Sequence, residues 1–346
     1  MKFHVKTYGC QMNERDSEAV TALLKRHGLE HTRNEGAADV IIVNTCSVRG
    51  KAEDKAIGKL GLMVVEKRKR PGLVVGAVGC MVQRMQDEIL ARVPGLDFAV
   101  GTHRLGFIPA IIERVRSGDR PVVETSGQSG DYDDLTGHTE GGVSAFVNIL
   151  LGCDRRCAYC VVPEVRGREW SRAAAGVIEE IRALADAGIK EVTLLGQSVM
   201  SYGRKNEVWP EGNRSSGGFV EPFPRLLEAA GAVNGIKRIR FTSGHPSGCT
   251  DELARAMKEI PAVCGHMHLP MQSGSDRILK LMGRGYTADG YRDAVRRLRE
   301  AVPEMAVTTD IIVGFPSETT EEFEETGKVM EEIRAAIANE KFEKIK

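Results

Sequence analysis

Three cysteines constrain the fold of this chain more than any other feature. Cys10, Cys46 and Cys80 lie 36 and 34 residues apart, and each closes a short β-branched apolar run. Phe3-His4-Val5-Lys6-Thr7-Tyr8 leads to Gly9-Cys10. Val40-Ile41-Ile42-Val43 leads to Asn44-Thr45-Cys46, and Leu73-Val74-Val75-Gly76-Ala77-Val78 leads to Gly79-Cys80. Helical patterns fill the intervals. One covers 17–27, with Ala19, Val20, Leu23 and Leu24 on one face and Gly28 as its stop, and another covers about 51–69. Strand–helix alternation of this kind predicts an open parallel sheet. Such sheets bind ligands beyond the carboxyl ends of their strands. All three cysteines sit there, so they are expected to converge on a metal or iron–sulfur centre.

Composition agrees with that setting. Hydrophobic residues make up 42% and charged residues 28%, which excludes a disordered or fibrous chain. At 346 residues, two or three domains are expected. Lys plus Arg and Asp plus Glu are both 48, so bulk charge does not mark a strongly basic nucleic-acid binder. No apolar run reaches the roughly 18 residues needed to span a bilayer. The segment Met1-Lys2-Phe3-His4-Val5-Lys6 lacks the apolar core of a secretion signal. A cytoplasmic, reducing location without membrane attachment is therefore expected, where eight cysteines serve as ligands or thiols rather than disulfides.

A second cysteine set is tighter. The apolar run Ala145-Phe146-Val147-Asn148-Ile149-Leu150-Leu151 leads into Gly152-Cys153-Asp154-Arg155-Arg156-Cys157-Ala158-Tyr159-Cys160. Three cysteines on one loop can hold three irons of a [4Fe–4S] cube and leave the fourth open. A structural zinc loop is the alternative, but it normally has four protein ligands, and no fourth Cys or His lies nearby in the sequence.

This CxxxCxxC, with Tyr159 before its last cysteine, resembles the radical SAM superfamily. Other motifs narrow the resemblance to its methylthiotransferase family. They are Thr7-Tyr8-Gly9-Cys10-Gln11-Met12-Asn13 with Asp16-Ser17-Glu18, Asn44-Thr45-Cys46-Ser47-Val48-Arg49, Gly79-Cys80, and Cys160-Val161-Val162-Pro163 with Arg166-Gly167-Arg168. Further along come Leu194-Leu195-Gly196-Gln197-Ser198-Val199 and Arg240-Phe241-Thr242-Ser243-Gly244-His245-Pro246. Leu269-Pro270-Met271-Gln272-Ser273-Gly274-Ser275-Asp276 and Asp310-Ile311-Ile312-Val313-Gly314-Phe315-Pro316 complete the set. The likeness covers about residues 3 to 330. The wording around Cys10 and Cys46 is closest to the branch that methylthiolates C2 of N6-isopentenyladenosine at tRNA position 37. Branches acting on threonylcarbamoyladenosine or a ribosomal protein are the alternatives, as is a catalytically inactive, truncated iron–sulfur fragment.

The fold expected is α/β: an open parallel-sheet three-cysteine domain at 1–124, a polar glycine-rich linker at 125–142, and a partial (βα) radical SAM barrel at 143–338. Asp97-Phe98-Ala99-Val100-Gly101-Thr102 is read as the fourth strand of the first domain. In the second, strands are expected at 143–151, 191–196, 237–243, 266–270 and 306–313. A helix capped by Ser171 should run to Gly188, another should carry Tyr291, Val295, Leu298 and Val302, and a last one should cover about 320–338. The resemblance implies a sixth strand and a small RNA-binding TRAM domain after that. Asn339-Glu340-Lys341-Phe342-Glu343-Lys344-Ile345-Lys346 matches neither, so a truncated barrel is expected.

C2 of adenine is an unactivated carbon, and chemistry of that difficulty comes from a cofactor. The resemblance implies two [4Fe–4S] clusters. One, on Cys153, Cys157 and Cys160, binds S-adenosylmethionine (SAM) and yields a 5′-deoxyadenosyl radical. The other, on Cys10, Cys46 and Cys80, carries the sulfur. It also implies that Gly196 and Gln197 hold the SAM amino group, that Gln272 and Ser273 reach the SAM ribose or the substrate, and that Val313 and Gly314 line the adenine. Arg166, Arg168 and Arg172 are candidates for a phosphate or the SAM carboxylate. Expected partners are the tRNA anticodon stem-loop and an electron donor such as flavodoxin or ferredoxin, with the chain acting as a monomer. His266 and His268 share a strand face, and His268 is read as a barrel-interior residue. Cys249 and Cys264 are read as bystanders. Lys67-Arg68-Lys69-Arg70 is read as a solvated helix end.

Overall fold

The computed structural model describes residues 1–47, 50–127, 137–138, 141–209 and 218–338. Most of the expected linker, including Asp131, Asp133 and Asp134, lies outside the described residues, as do residues 339–346. The chain divides into two compact units. The first is Met1–Gly141 with Leu151–Asp154 and Val161–Trp170, and the second is the remainder.

The first unit is built on six parallel strands: β1 (Lys2–Tyr8), β2 (Glu30–His31), β3 (Val40–Thr45), β4 (Val74–Gly79), β5 (Phe98–Val100) and β6 (Val122–Glu124). Their spatial order is β2-β1-β3-β4-β5-β6. The central strands β3 and β4 are buried at every residue, as continuous apolar runs covered by helices on both faces must be. The helices are α1 (Gln11–Arg26), α2 (Gly50–Glu66), α3 (Cys80–Met85), α4 (Glu88–Arg92) and α5 (Ile108–Arg116). The short strands β2 and β6 were not anticipated. Helix α1 begins at Gln11, earlier than the 17–27 pattern predicts, because its first turn is polar. That turn is buried all the same: Asn13 and Asp16 are fully enclosed.

Helix α6 (Val162–Arg166) belongs to the first unit, where Thr102 Oγ1 donates to the Val165 carbonyl at 2.6 Å. The sequence reading grouped this stretch with the second domain.

The second unit holds β7 (Ser144–Asn148), β10 (Glu191–Leu195) and β11 (Arg238–Phe241) in one parallel sheet, and β12 (His266–His268) with β13 (Ala306–Thr308) in another. Single parallel bridges at Ile239–Val263 and Gln272–Ile311 extend the pairing. Two-residue strands β8 (Leu150–Leu151) and β9 (Trp170–Ser171) lie between β7 and β10 in the chain. Five parallel strands thus follow one another in chain order, the arrangement of a partial (βα) barrel. Helices α7 (Ala174–Asp186), α8 (Pro222–Gly231), α9 (Asp251–Glu259), α10 (Asp276–Leu281), α11 (Ala288–Ala301) and α12 (Thr320–Ala338) complete the unit. Val177, Ile181, Leu226, Leu253 and Leu298 from these helices pack with Val192, Leu194, Ile239 and Met267 of the strands.

Ser171 does not cap α7. It is a buried residue of β9 whose Oγ accepts from the Gly203 N–H at 3.0 Å, and the cap position is Ala173. The barrel strands end earlier than their apolar patterns suggest. After β11 the backbone turns into the left-handed region at Ser243 (φ 60°), and beyond β12 it does so at Gln272 (φ 70°), which still pairs with Ile311.

Candidate active site

Register brings the first cysteine set together. Tyr8 pairs with Thr45, and Thr45 with Gly79, so the last residues of β1, β3 and β4 lie side by side. Cys46 and Cys80 each follow by one residue and Cys10 by two. Adjacent strands are about 4.8 Å apart, which keeps the three thiols at one sheet edge. Cys10 is solvent-accessible there, while Cys46 and Cys80 are buried.

The residues around the cysteines explain the motif wording. The Asn13 amide donates to Asn44 Oδ1 at 3.0 Å and to the Thr45 carbonyl at 3.2 Å. Asn44 in turn donates to the Asn13 carbonyl and to Ser17 Oγ, both at 2.9 Å, and Ser17 accepts from Thr7 at 2.8 Å. Asn13 Oδ1 also takes the Cys10 N–H at 3.3 Å, which caps α1. Close packing demands the glycines. A Cβ at Gly9 would meet Asn13 Oδ1 at 2.2 Å. At Gly79, where φ is 98°, it would meet Asn44 Oδ1 at 2.4 Å and the Thr45 carbonyl at 2.7 Å. A buried polar network of this kind, once satisfied, fixes one geometry.

Electrostatics separate the three thiols. A hydrogen bond with Cys46 holds the Cys10 thiol down to about 6, against the opposing effect of burial, with help from backbone N–H groups at the start of α1 and the Arg166 charge. Cys80 goes the other way. Burial pushes it up and outweighs the guanidinium of Arg166, whose Nε lies 3.3 Å from its Sγ. Asp16, which accepts from Arg166 Nη2 at 2.7 Å, offsets that charge. Alkylation of the metal-free chain with iodoacetamide, read peptide by peptide, should therefore be pH-dependent in a specific way. Cys10 is mostly thiol below pH 6 and mostly thiolate above it, so its rate should rise through about pH 6 and level off by neutrality. Cys80 should stay slow at pH 7. A Cys10 midpoint near the ordinary thiol value of about 8.5 would contradict this assignment.

The second set lies on the loop between β8 and α6. Gly152 has φ 70°, and a Cβ there would meet the Arg168 carbonyl at 2.1 Å, so only glycine lets Cys153 donate its N–H to Gly167 at 3.1 Å. Within the second unit the cysteine loop is gripped by the segment after α10. Ala158 donates to the Met282 carbonyl at 3.0 Å, and Arg284 Nη1 lies 3.4 Å from Cys157 Sγ. Burial pushes the Tyr159 phenol far above its ordinary value, so it stays protonated beside Cys157 and Cys160. Tyr286 donates to Met271 at 2.7 Å and stacks edge-on with His245, ring centroids 5.2 Å apart. His245 is buried, and desolvation holds it down to about 3, so it is neutral. Its Nδ1 lies 2.8 Å from Ser247 Oγ and 3.3 Å from the Ser247 N–H, and its Nε2 is buried.

The remaining predicted residues divide. Gln197 Oε1, just past the end of β10, is buried and has no partner, as an acceptor for an ammonium group would be. Gly196 beside it is closely packed, since a Cβ would meet Leu150 at 3.0 Å. Gln272 is nearly buried in its left-handed conformation and its backbone pairs with Ile312 at 2.9 Å. Val313 is exposed, and the Gly314 N–H goes to Glu318 at 2.5 Å. Ser273 is fully buried and its Oγ takes the Ser275 N–H at 3.1 Å, a turn-forming role.

Two of the three arginines are not available as anion receptors. Arg166 is engaged by Cys80 and Asp16, and Arg172 by Glu180 and the Asn148 carbonyl, both at 2.7 Å; Arg168 is exposed. His266 and His268 hydrogen-bond to Thr308 and Asp310, both at 3.1 Å, across to β13. Lys67 is pinned to Asp97 at 2.7 Å and Arg70 to the carbonyl of Ala38, so the basic run is partly structural. Arg284 and Tyr286 were not anticipated. Their signal was Gly283-Arg284-Gly285, a charged residue between two glycines that both adopt φ 70°. His245 was part of a recognised motif but had been given no role.

Among the described residues, no three His, Cys, Asp or Glu side chains close on a point as a single ion would require. In the first unit Cys80 lies beside the buried guanidinium of Arg166 and Cys10 beside Cys46, and in the second unit Cys157 lies beside Arg284; thiols in such settings are the ligand type of iron–sulfur centres.

Comparison with known proteins gives the same grouping. Residues 2–101 match the uncharacterized protein family UPF0004, and residues 147–330 match the radical SAM superfamily. The tRNA-2-methylthio-N(6)-dimethylallyladenosine synthase of Akkermansia muciniphila is 45% identical, over 96% of this chain and 74% of its own length. Its counterpart from Syntrophus aciditrophicus is also 45% identical, over 96% and 70%. Among solved structures, the radical S-adenosylmethionine methyltransferase TsrM from Kitasatospora setae superposes with a TM-score of 0.69 at 15% identity, covering 96% of this chain and 71% of that one. That likeness concerns the fold alone. Matches at 45% identity that run through both cysteine sets are decisive, and the chain belongs to the radical SAM superfamily and, within it, to the tRNA-2-methylthio-N(6)-dimethylallyladenosine synthase family.

Proposed function

We propose that this chain is a tRNA methylthiotransferase that places a methylthio group on C2 of N6-isopentenyladenosine at position 37. The observation that carries this is the pair of cysteine triads at strand ends, in a chain 45% identical to synthases named for that product. When bound, SAM and the two [4Fe–4S] clusters supply one-electron chemistry able to take hydrogen from an unactivated ring carbon, and the sulfur that replaces it.

The chain's own residues do the rest. Cys153, Cys157 and Cys160 would hold the cluster that binds SAM, and Cys10, Cys46 and Cys80 would hold the other. Gln197 would accept from the SAM ammonium, and Gly196 lets the turn before it pack against Leu150. Gln272 would reach the SAM ribose or the substrate and Val313 and Gly314 would line the adenine, while Ser273 shapes the turn after Gln272. Tyr159, held neutral, stands in the cysteine loop between Cys157 and Cys160. The tRNA anticodon stem-loop is the partner, since an unpaired base can be splayed into a pocket there. A low-potential protein such as flavodoxin or ferredoxin delivers electrons, and the chain acts as a monomer in the cytoplasm. Among the described residues, no helix is long and apolar enough to cross a membrane.

Complementation tests this reading. The chain is expressed in a bacterium lacking its own synthase, and tRNA is digested to nucleosides for mass spectrometry. The 2-methylthio form of isopentenyladenosine should return. Accumulation of isopentenyladenosine alone would sink the proposal, and a methylthiolated threonylcarbamoyladenosine would redirect it.

A further inference from the structure

Each cysteine set is met by one buried arginine, and the two arginines differ in what offsets their charge. Arg166 is 4% exposed and shared between Cys80, at 3.3 Å, and the fully buried carboxylate of Asp16, at 2.7 Å. Arg284 is 8% exposed and reaches Cys157 at 3.4 Å. Its other donors end on neutral oxygens, the Tyr286 hydroxyl at 3.2 Å and the Pro270 carbonyl at 3.5 Å. Its guanidinium carbon lies 5.3 Å from the Tyr286 ring centroid, and that ring is braced by His245. Among the described residues no carboxylate pairs with Arg284.

We infer that Arg284 is a positioning residue that sets an uncompensated positive charge against Cys157 and raises the reduction potential of the cluster held there, whereas Asp16 cancels the corresponding effect of Arg166 at the other cluster. This rests on the two-cluster reading above. The physics is direct. Reduction adds negative charge, so a nearby cation and hydrogen bonds to sulfur favour the reduced form, and net charge near a cluster is a main determinant of its potential. A buried charge acts strongly because little water screens it. An arriving electron is thereby biased toward the SAM-binding cluster.

The test uses full-length chains carrying one cluster each, reconstituted anaerobically without SAM or tRNA. One parent has Cys10, Cys46 and Cys80 changed to Ala, and the other has Cys153, Cys157 and Cys160 changed to Ala. Iron per chain and midpoint potential, from an EPR-monitored titration, are the readouts. In the first parent, Arg284→Gln should keep the iron and shift the potential negative, and Arg284→Lys, which retains the charge, should recover part of that shift. In the second parent, Asp16→Asn should shift the potential positive. An unmoved potential in loaded Arg284→Gln overturns the inference, and so does Arg284→Lys behaving like Gln. If Arg284→Gln loses its iron, the Arg284→Lys and Asp16→Asn shifts decide: a Lys variant displaced negative of the parent with a positive Asn shift supports the inference, and an unmoved Lys or Asn variant overturns it. Parents that bind no iron overturn the cluster assignment itself, a separate result.

Discussion

Cys157→Ala and Cys10→Ala are expected to fail at different steps. Cys157→Ala removes a ligand of the SAM-binding cluster, so reductive cleavage of SAM under dithionite should fall by about 100-fold or more. Loss of an outer-shell contact to a metal ligand already costs about 10–100-fold, and a missing ligand should cost at least the upper end of that. Cys10→Ala leaves the CxxxCxxC loop untouched. Cleavage of SAM should continue near the parental rate while methylthio-nucleoside formation falls below detection. The two products, 5′-deoxyadenosine and the modified nucleoside, are measured in one reaction. Equal loss of SAM cleavage in both variants would show that the two triads do not divide the work.

The largest stability effect is expected inside the second unit. Glu180 and Arg172 form a buried pair at 2.7 Å, with side chains 7% and 9% exposed. The Arg172 carbonyl also accepts from the Tyr202 hydroxyl at 2.7 Å. Glu180→Ala would leave a buried guanidinium without its counter-charge, at a cost of about 3–5 kcal/mol. The double change Arg172→Met with Glu180→Leu removes both charges together, and a well-packed apolar replacement of a buried pair is often close to neutral. Equilibrium urea unfolding, followed by far-UV circular dichroism, measures both. A Glu180→Ala midpoint within error of the parent would mean that water reaches the arginine.

The frame of this fold was legible because apolar runs ending in cysteine carry two signals at once, a strand and a site. Strands β1, β3, β4, β7, β10, β11, β12 and β13 were all anticipated, though the barrel strands proved shorter. What escaped was either very short or held by distant partners. Strands β2, β6 and β9 have two or three residues each, too few for periodicity to register. The buried arginines carry no local mark of burial. Arg166 finds Asp16 across 150 positions of sequence, and Arg284 finds Cys157 across 127. Read locally, an arginine beside a cluster loop looks like an anion receptor. The same holds for the first turn of α1, where Asn13 and Asp16 read as surface residues until Asn44 and Arg166 enclose them.

The matched ends of β1, β3 and β4 also say what can vary in this family of folds and what cannot. The distance between one thiol and the next is inherited from the repeat of the sheet, not from the 36- and 34-residue crossovers. Those crossovers can lengthen or shorten at the far edge of the sheet without moving a ligand, because loop closure costs little per added residue. Sliding β3 by a single position along β1 would be another matter. It would carry Cys46 about 3.3 Å along the strand axis and turn every side chain of β3 to the opposite face. The sheet therefore works as a ruler whose graduations are hydrogen bonds, and the spacing of the three cysteines is protected by the same bonds that hold the domain together.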